Sequence, residues 1–145
     1  CAVPSFAADR FYAATREATA AVSSKLTLQT PASNSAVARP TKVTVACSVA
    51  CLVTITMNGT AATATAGTAV ALGPWAAAKT LVFTASDVGA GTMIRATELI
   101  AAGATKDILI EGVELNRTGT AYNFTVNITG LAGNMYTTIV WKEVT

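Results

Sequence analysis

The residues best suited to chemistry in this chain are two cysteines, Cys47 and Cys51, which stand four positions apart. In a continuous strand four residues span about 13 Å, which is too far for a disulfide. If residues 48–50 instead form a tight hairpin loop, the two thiols face each other and can be oxidised to a disulfide. The other interpretation is a pair of buried free thiols, because cysteine packs as a small apolar residue. A metal site is not predicted, since zinc needs four ligands and the chain has no histidine and one further cysteine.

Carboxylates and hydroxyls do not form a recognisable catalytic group. Glu111 and Glu114 are close in sequence, but a spacing of three places them on opposite faces of a strand. Without histidine, Ser24 and Lys25 are the remaining nucleophile and base, and neighbouring residues of a strand point apart. The Gly-x-Gly of residues 86–91 lacks the third glycine and the following helix of a dinucleotide site. We therefore predict no enzyme activity, no catalytic residue and no cofactor.

Side chains in predicted turns are the candidates for binding. Trp75 follows Gly73-Pro74 in a predicted loop, and its ring could stack on a sugar or insert into a neighbouring subunit. Asp87 and Arg117 stand in two further predicted turns and complete a predicted contact site with Trp75.

The composition favours contact with other proteins. Charged residues make up 12% of the chain, against about 25% in a typical soluble domain. The net charge is +2 and no basic run is present, so nucleic-acid binding is not predicted. Apolar stretches fall short of the ~20 residues that a membrane span needs. A surface of small neutral side chains predicts a building block of an assembly.

The first forty residues differ from the rest. Between residues 7 and 22, apolar side chains at spacings of three and four predict a short helix. The competing prediction is an extended arm that orders against a neighbour. Residues 31–40, bounded by prolines and rich in small polar residues, are interpreted as a linker. The aromatic residues expected to make the arm's contacts are Phe6, Phe11 and Tyr12.

From residue 42 onward the pattern is that of β-strands. Apolar and polar residues alternate, most clearly over residues 122–128, as they do in a half-buried strand. Turns are predicted at residues 58–59, 86–91, 116–119 and 129–134. Seven or eight short strands at roughly 10–15-residue spacing predict an all-β, antiparallel β-sandwich or jelly-roll-like domain. The predicted organisation is an arm and linker over residues 1–40, separable from a sandwich over residues 41–145.

Three segments, residues 43–66, 83–92 and 136–143, together resemble small β-sandwich virion proteins of tailed bacteriophages. The resemblance implies a non-enzymatic component of the virion, often a capsid decoration (cement) protein. Such proteins form homo-oligomers, commonly trimers, or clasp neighbouring subunits of the major capsid protein. The alternative function is a glycan-binding module of a phage tail or baseplate, or a bacterial surface adhesin. Trp75 and the neighbouring turns would then form the binding site.

Overall fold

The computed structural model describes residues 9–30, 37–57, 65–85, 92–115 and 122–144. Within these ranges every regular element is a strand, and all pairings are antiparallel, so the predicted all-β antiparallel fold is confirmed. These ranges contain no helix able to cross a membrane. The strands are β1 (Arg10–Thr30), β2 (Val37–Cys47), β3 (Cys51–Met57), β4 (Thr65–Ala66), β5 (Val70–Ala71), β6 (Leu81–Ala85), β7 (Thr92–Met93), β8 (Glu98–Ile100), β9 (Thr105–Leu109) and β10 (Tyr122–Val144).

The two long strands β1 and β10 form the centre of the sheet. They pair with each other along almost their whole length. On its other side, β10 pairs with β3 over residues 124–130 and with β2 over residues 135–144. Strand β8 extends the sheet beyond β3, and β9 extends it beyond β2. Strands β5 and β6 pair with the two ends of β1.

Four neighbouring chain segments change direction at the same level of the sheet. The β1–β10 register shifts between Ala18 and Ser23 of β1. On the other side of β10, β2 ends where β3 begins, and β9 and β8 are likewise separated by one short turn. We call this region the corner; it comprises residues 19–22, 48–50, 101–104 and 131–134.

The connection between β1 and β2 requires the sheet to fold over at the corner. Thr30 pairs with Tyr122 at one end of β10, and Val37 pairs with Val144 at the other end. Seven residue steps from Thr30 to Val37 limit their separation to about 25 Å. Along a straight β10, Tyr122 and Val144 would be about 73 Å apart. The two ends of β10 must therefore approach each other, which gives a sandwich-like fold of two halves.

The two halves enclose one hydrophobic core. The β2 half comprises residues 10–18, 37–47, 70–71, 105–109 and 135–144, and the β3 half comprises residues 23–30, 51–57, 65–66, 81–85, 92–93, 98–100 and 122–130. Every second residue of each central strand faces inward, as the period of a strand requires. Inward-facing core residues of both halves include Tyr12, Ile139 and Trp141 of the β2 half and Leu26, Ile55 and Phe124 of the β3 half.

Small residues permit the bend. A Cβ added to Gly130 would lie 2.9 Å from the carbonyl oxygen of Ala50, and one added to Gly133 would lie 2.9 Å from Oγ of Ser48. A larger side chain at Gly130 would therefore push the 48–50 segment away from β10. In β1, Ala20 adopts a φ of 48°, a conformation that L-residues other than glycine, asparagine and aspartate rarely adopt.

A hydrogen bond also closes the bend of β1 on itself. Nη1 of Arg16 donates to the carbonyl oxygen of Lys25 at 2.7 Å, which joins the two sides of the corner. Burial lowers the pKa of the Arg16 guanidinium from its ordinary value. This internal contact uses a basic group that would otherwise be available to a ligand.

Three sequence predictions about local structure are wrong. Residues 10–22 are strand and not helix: Tyr12, Ala14 and Ala18 are buried with the period of a strand, while Phe11 and Val22 of the predicted helical stripe are exposed. The alanines are compatible with both structures, and pairing with β10 decides between them.

The other two errors concern boundaries. Residues 10–30 and 37–40 belong to the sheet and contribute Leu26 and Leu28 to the core, so they do not form an arm or linker separable at residue 40. Residues 129–134 do not reverse the chain, because β10 continues through them and only bends. The predicted turns at 58–59, 86–91 and 116–119 lie outside the described residues.

Candidate interaction surface

The predicted contact site is only partly described. Trp75 is half-buried, whereas Asp87, Arg117 and the predicted arm residue Phe6 lie outside the described residues.

Trp75 packs at the edge of the β2 half. Its ring lies 6.2 Å from that of Phe11 and 6.3 Å from that of Tyr12, measured between centroids. A Cβ added to Gly73 would meet the same indole at 2.8 Å, so the loop closes tightly over it. The Trp75 ring therefore packs against residues of its own chain.

The two predicted arm residues that the structure describes have different environments. Phe11 is 38% exposed at the sheet edge. Tyr12 is buried: its ring stacks on Trp141 at 6.0 Å, and its hydroxyl donates to the carbonyl oxygen of Ala76 at 2.8 Å. The prediction that Tyr12 contacts a neighbour is therefore wrong, because its alternate position on β1 turns it into the core.

Cys47 and Cys51 form a disulfide with an S–S distance of 2.09 Å. The bridge that the sequence left open is thus present, but its setting differs from the predicted hairpin. Strands β2 and β3 do not pair with each other; both pair with β10, one after the other. The disulfide spans the bend between them, and both cysteines are buried. Its position gives it a structural role at the corner.

The described residues do not assemble a catalytic centre from the candidates considered. Ser24 is buried on the inner face of β1. Glu114 pairs with Arg39 at 2.7 Å, and Asp107 accepts a hydrogen bond from Thr44 at 2.7 Å. No cluster of three histidine, cysteine or acidic residues suited to a metal occurs in the part of the chain that the structure describes.

Glu143 joins the two halves at the end remote from the corner. It lies in β10 of the β2 half and is buried. Its Oε1 accepts the backbone N–H of Thr80 at 2.8 Å, and its Oε2 accepts that of Lys79 at 3.2 Å. These residues lead directly into β6 of the β3 half. The carboxylate therefore satisfies backbone donors across the core.

A second polar contact joins the halves at the corner. Glu98 of β8 pairs with Arg95 at 2.9 Å and with Lys106 of β9 at 3.5 Å. The hydrogen bond from Arg95 is the main cause that lowers the pKa of the Glu98 carboxyl, and Lys106 acts in the same direction. Because β8 and β9 lie in different halves, this ion-pair network links them beside the 101–104 turn.

Charge is distributed very unevenly between the halves. Among the described strands, the β3 half contains two charged residues, Lys25 and Glu98. The charged residues of the strands in the β2 half are Arg10, Arg16, Glu17, Arg39, Lys42, Lys106, Asp107, Lys142 and Glu143. A partner that avoids burying charge would therefore approach the β3 half.

Large aliphatic side chains lie exposed where the β3 half meets the corner. Leu52 and Leu99 are directly paired across β3 and β8, and are 44% and 71% exposed. The same cross-strand row continues from Leu52 through Thr129 to Ser23. Val22 (61% exposed) and Leu131 (74%) stand in the bends of β1 and β10 beside this row. We call Val22, Leu52, Leu99 and Leu131 the corner patch.

The rest of the corner consists of small uncharged residues. Thr19, Ala20, Ala50, Ala102 and Ala132 are all exposed. No residue of the four corner segments carries a charge. The absence of charge is a property that this surface shares with the central part of protein–protein contacts, from which charged residues are depleted.

The exposed aliphatic residue Leu109 of the β2 half has charged neighbours instead. Leu109 is 66% exposed, but it pairs with Lys42 and lines a cleft of about 430 Å³ with Arg95 and Glu111. An adjoining cleft of about 490 Å³ includes the Arg39–Glu114 pair. Leu109 therefore provides a matched comparison for the corner patch: a similar exposure in a charged setting.

The sequence prediction missed the corner patch, because its members come from four separate segments. Leu52 and Leu99 become neighbours only through the β3–β8 register. One signal was present in the sequence: no charged residue occurs over residues 43–78 or 118–141. Strand β3 and the part of β10 that belongs to the β3 half, residues 51–57 and 122–130, lie within these two stretches.

Comparison of the chain with protein-family models, with curated proteins and with solved structures gives no match.

Proposed function

We propose that this chain is a non-enzymatic structural subunit of a bacteriophage virion, most specifically a capsid decoration subunit. It acts by docking its corner patch on neighbouring protein. The observation that carries the proposal is the segregation of charge: the corner carries no charged residue, while the β2 half holds nine of the eleven charged residues of the described strands.

The physical reason is that water and protein compete for this surface. Exposed aliphatic side chains gain roughly 25 cal/mol for each Å² that is removed from water. Burying a charge has the opposite effect, because the ion loses its hydration. Docking through the corner removes aliphatic side chains from water and leaves the charged residues hydrated. The charged β2 half remains available to keep the particle surface hydrated.

Assembly onto shells tests this proposal. Shells prepared without this chain are mixed with the purified wild type, with Leu99→Lys, or with the matched control Leu109→Lys, and co-sedimentation is measured. Wild type and control are expected to bind alike, whereas Leu99→Lys should lose affinity by at least tenfold. Failure of the wild type to co-sediment, or equal binding by both lysine variants, would contradict the proposal.

A further inference from the structure

We propose that in the free protein the corner patch binds a second copy of this chain, patch against patch, to form a two-fold symmetric dimer, which must open before the patch docks on a shell. The inference rests on the proposed function in taking the corner as the docking surface, and it adds the identity of one occupant.

The lack of charge at the corner favours a second copy of this chain over a partner selected by charge. A foreign partner selected by charge would need opposite charges to meet, and the corner offers none. Two copies can instead meet without burying any charge. Lys25 lies two residues along β1 from Ser23, outside the row that contains Leu52 and Leu99, and Glu98 of the adjacent row is already paired with Arg95 and Lys106. At a net charge of +2 per chain, repulsion between copies is weak and is screened by salt.

The corner patch and the small residues around it expose an apolar area close to what a dimer needs. The four side chains of the patch expose the equivalent of about two and a half complete aliphatic side chains, or roughly 250 Å² of apolar surface per copy. A standard interface needs about 450 Å² of apolar surface on each side. Exposed corner alanines and threonine methyl groups can supply much of the remainder. The total approaches the apolar area of a standard interface.

The shape of the corner also suits contact with a second copy. Alanine and glycine predominate in the corner segments outside the patch, so two backbones can approach closely around the leucines. The row Ser23–Thr129–Leu52–Leu99 crosses four strands and spans about 14 Å. A two-fold axis through such a row places the same residues on both sides, which is the requirement for an isologous interface.

Sedimentation of the full, disulfide-bonded chain tests the inference. The wild type should change from monomer to dimer as concentration rises through the micromolar range. Each substitution is present twice in a two-fold dimer, so Leu99→Lys should raise the dissociation constant about 100-fold. Leu131→Lys should act similarly. Leu109→Lys should leave the constant unchanged, and thermal unfolding shows whether each variant is folded.

Several outcomes would overturn the inference: a wild type that stays monomeric to near-millimolar concentration, a trimer, or a dimer unaffected by either patch substitution. These outcomes are distinguishable from failure of the proposed function. A monomer that still binds shells through Leu99 would refute the dimer and leave the shell contact intact. A patch dimer that binds no shell would support the dimer and contradict the proposed function.

Discussion

The β2 and β3 halves share their two central strands and differ in their surfaces. Strands β1 and β10 run through both halves and supply buried side chains to both. The charged residues of the described strands, however, lie mostly in the β2 half, and the largest exposed aliphatic side chains near the corner lie against the β3 half. The comparison teaches that the inner faces fix the fold, while the outer faces can be adapted separately to water or to protein.

The corner is the place where the two surfaces meet. It is held by the Cys47–Cys51 disulfide, by the close approach of β10 at Gly130 and by the ion pairs of Glu98. The opposite end is held by Glu143. Substitutions at these positions test the stability of the fold, whereas substitutions on the outer faces test binding to other proteins.

The largest loss of stability is expected when a side chain on an inner face is truncated. Leu26→Ala should lower the free energy of unfolding by about 2–5 kcal/mol, because the leucine is fully buried in the β3 half. The same substitution at Leu99, in the same half but on the outer face, should change it by less than about 0.5 kcal/mol. Urea denaturation measures both. Equal losses would mean that Leu99 is part of the core.

Glu143→Gln should destabilise the chain by about 2 kcal/mol. The amide places an N–H group where a carboxylate oxygen now accepts from Lys79 or Thr80, so one hydrogen bond to a charged acceptor is lost. The control is Glu114→Gln, which removes a solvent-exposed ion pair and should cost below about 1 kcal/mol. If the two variants unfold at the same urea concentration, Glu143 does not join the halves.

Removing the disulfide should have a similar or slightly smaller effect. Cys47→Ala combined with Cys51→Ala should lower the free energy of unfolding by about 2 kcal/mol, because a short loop constrains the unfolded chain only modestly. Reduction of the wild type should give a comparable loss. A double variant as stable as the oxidised wild type would show that the bridge does not stabilise the corner.

The smallest expected effect is on the pH dependence of folding stability. The lowered pKa of Glu98 means that its ion pairs stabilise the folded state when the carboxyl is ionised. That contribution is present above the ordinary carboxyl pKa and is lost as pH falls through the lower pKa of the folded state. Wild type should therefore exceed Glu98→Gln in stability by a few tenths of a kcal/mol near neutrality, and the difference should vanish in acid. A constant difference from neutral to acidic pH would exclude this explanation.

The sequence predicted the β class well because alternation is a local signal. Residues 122–128 and 135–144 are strand, as their patterns indicate. Residues 10–22 were mispredicted because alanine favours helix locally, whereas pairing with residues more than a hundred positions away makes this segment a strand.

The interaction surface could not be predicted because it depends on register. Leu52 and Leu99 are far apart in the chain, and only the β3–β8 ladder makes them neighbours. The burial of Tyr12 also depends on the strand structure of this segment. Tyr12 faces inward and its neighbour Phe11 is exposed, because adjacent residues of a strand face opposite ways.

The most direct test of the account asks whether the corner patch becomes covered when the protein assembles. Single cysteines are introduced at Leu131 or at Leu109 in a chain carrying Cys1→Ser, with the Cys47–Cys51 bridge intact, and alkylation rates are compared for the dilute chain, the concentrated chain and the shell-bound chain. We expect Leu131→Cys to become protected on assembly while Leu109→Cys reacts at an unchanged rate. Equal rates at Leu131→Cys in all three states, or protection confined to Leu109→Cys, would contradict it.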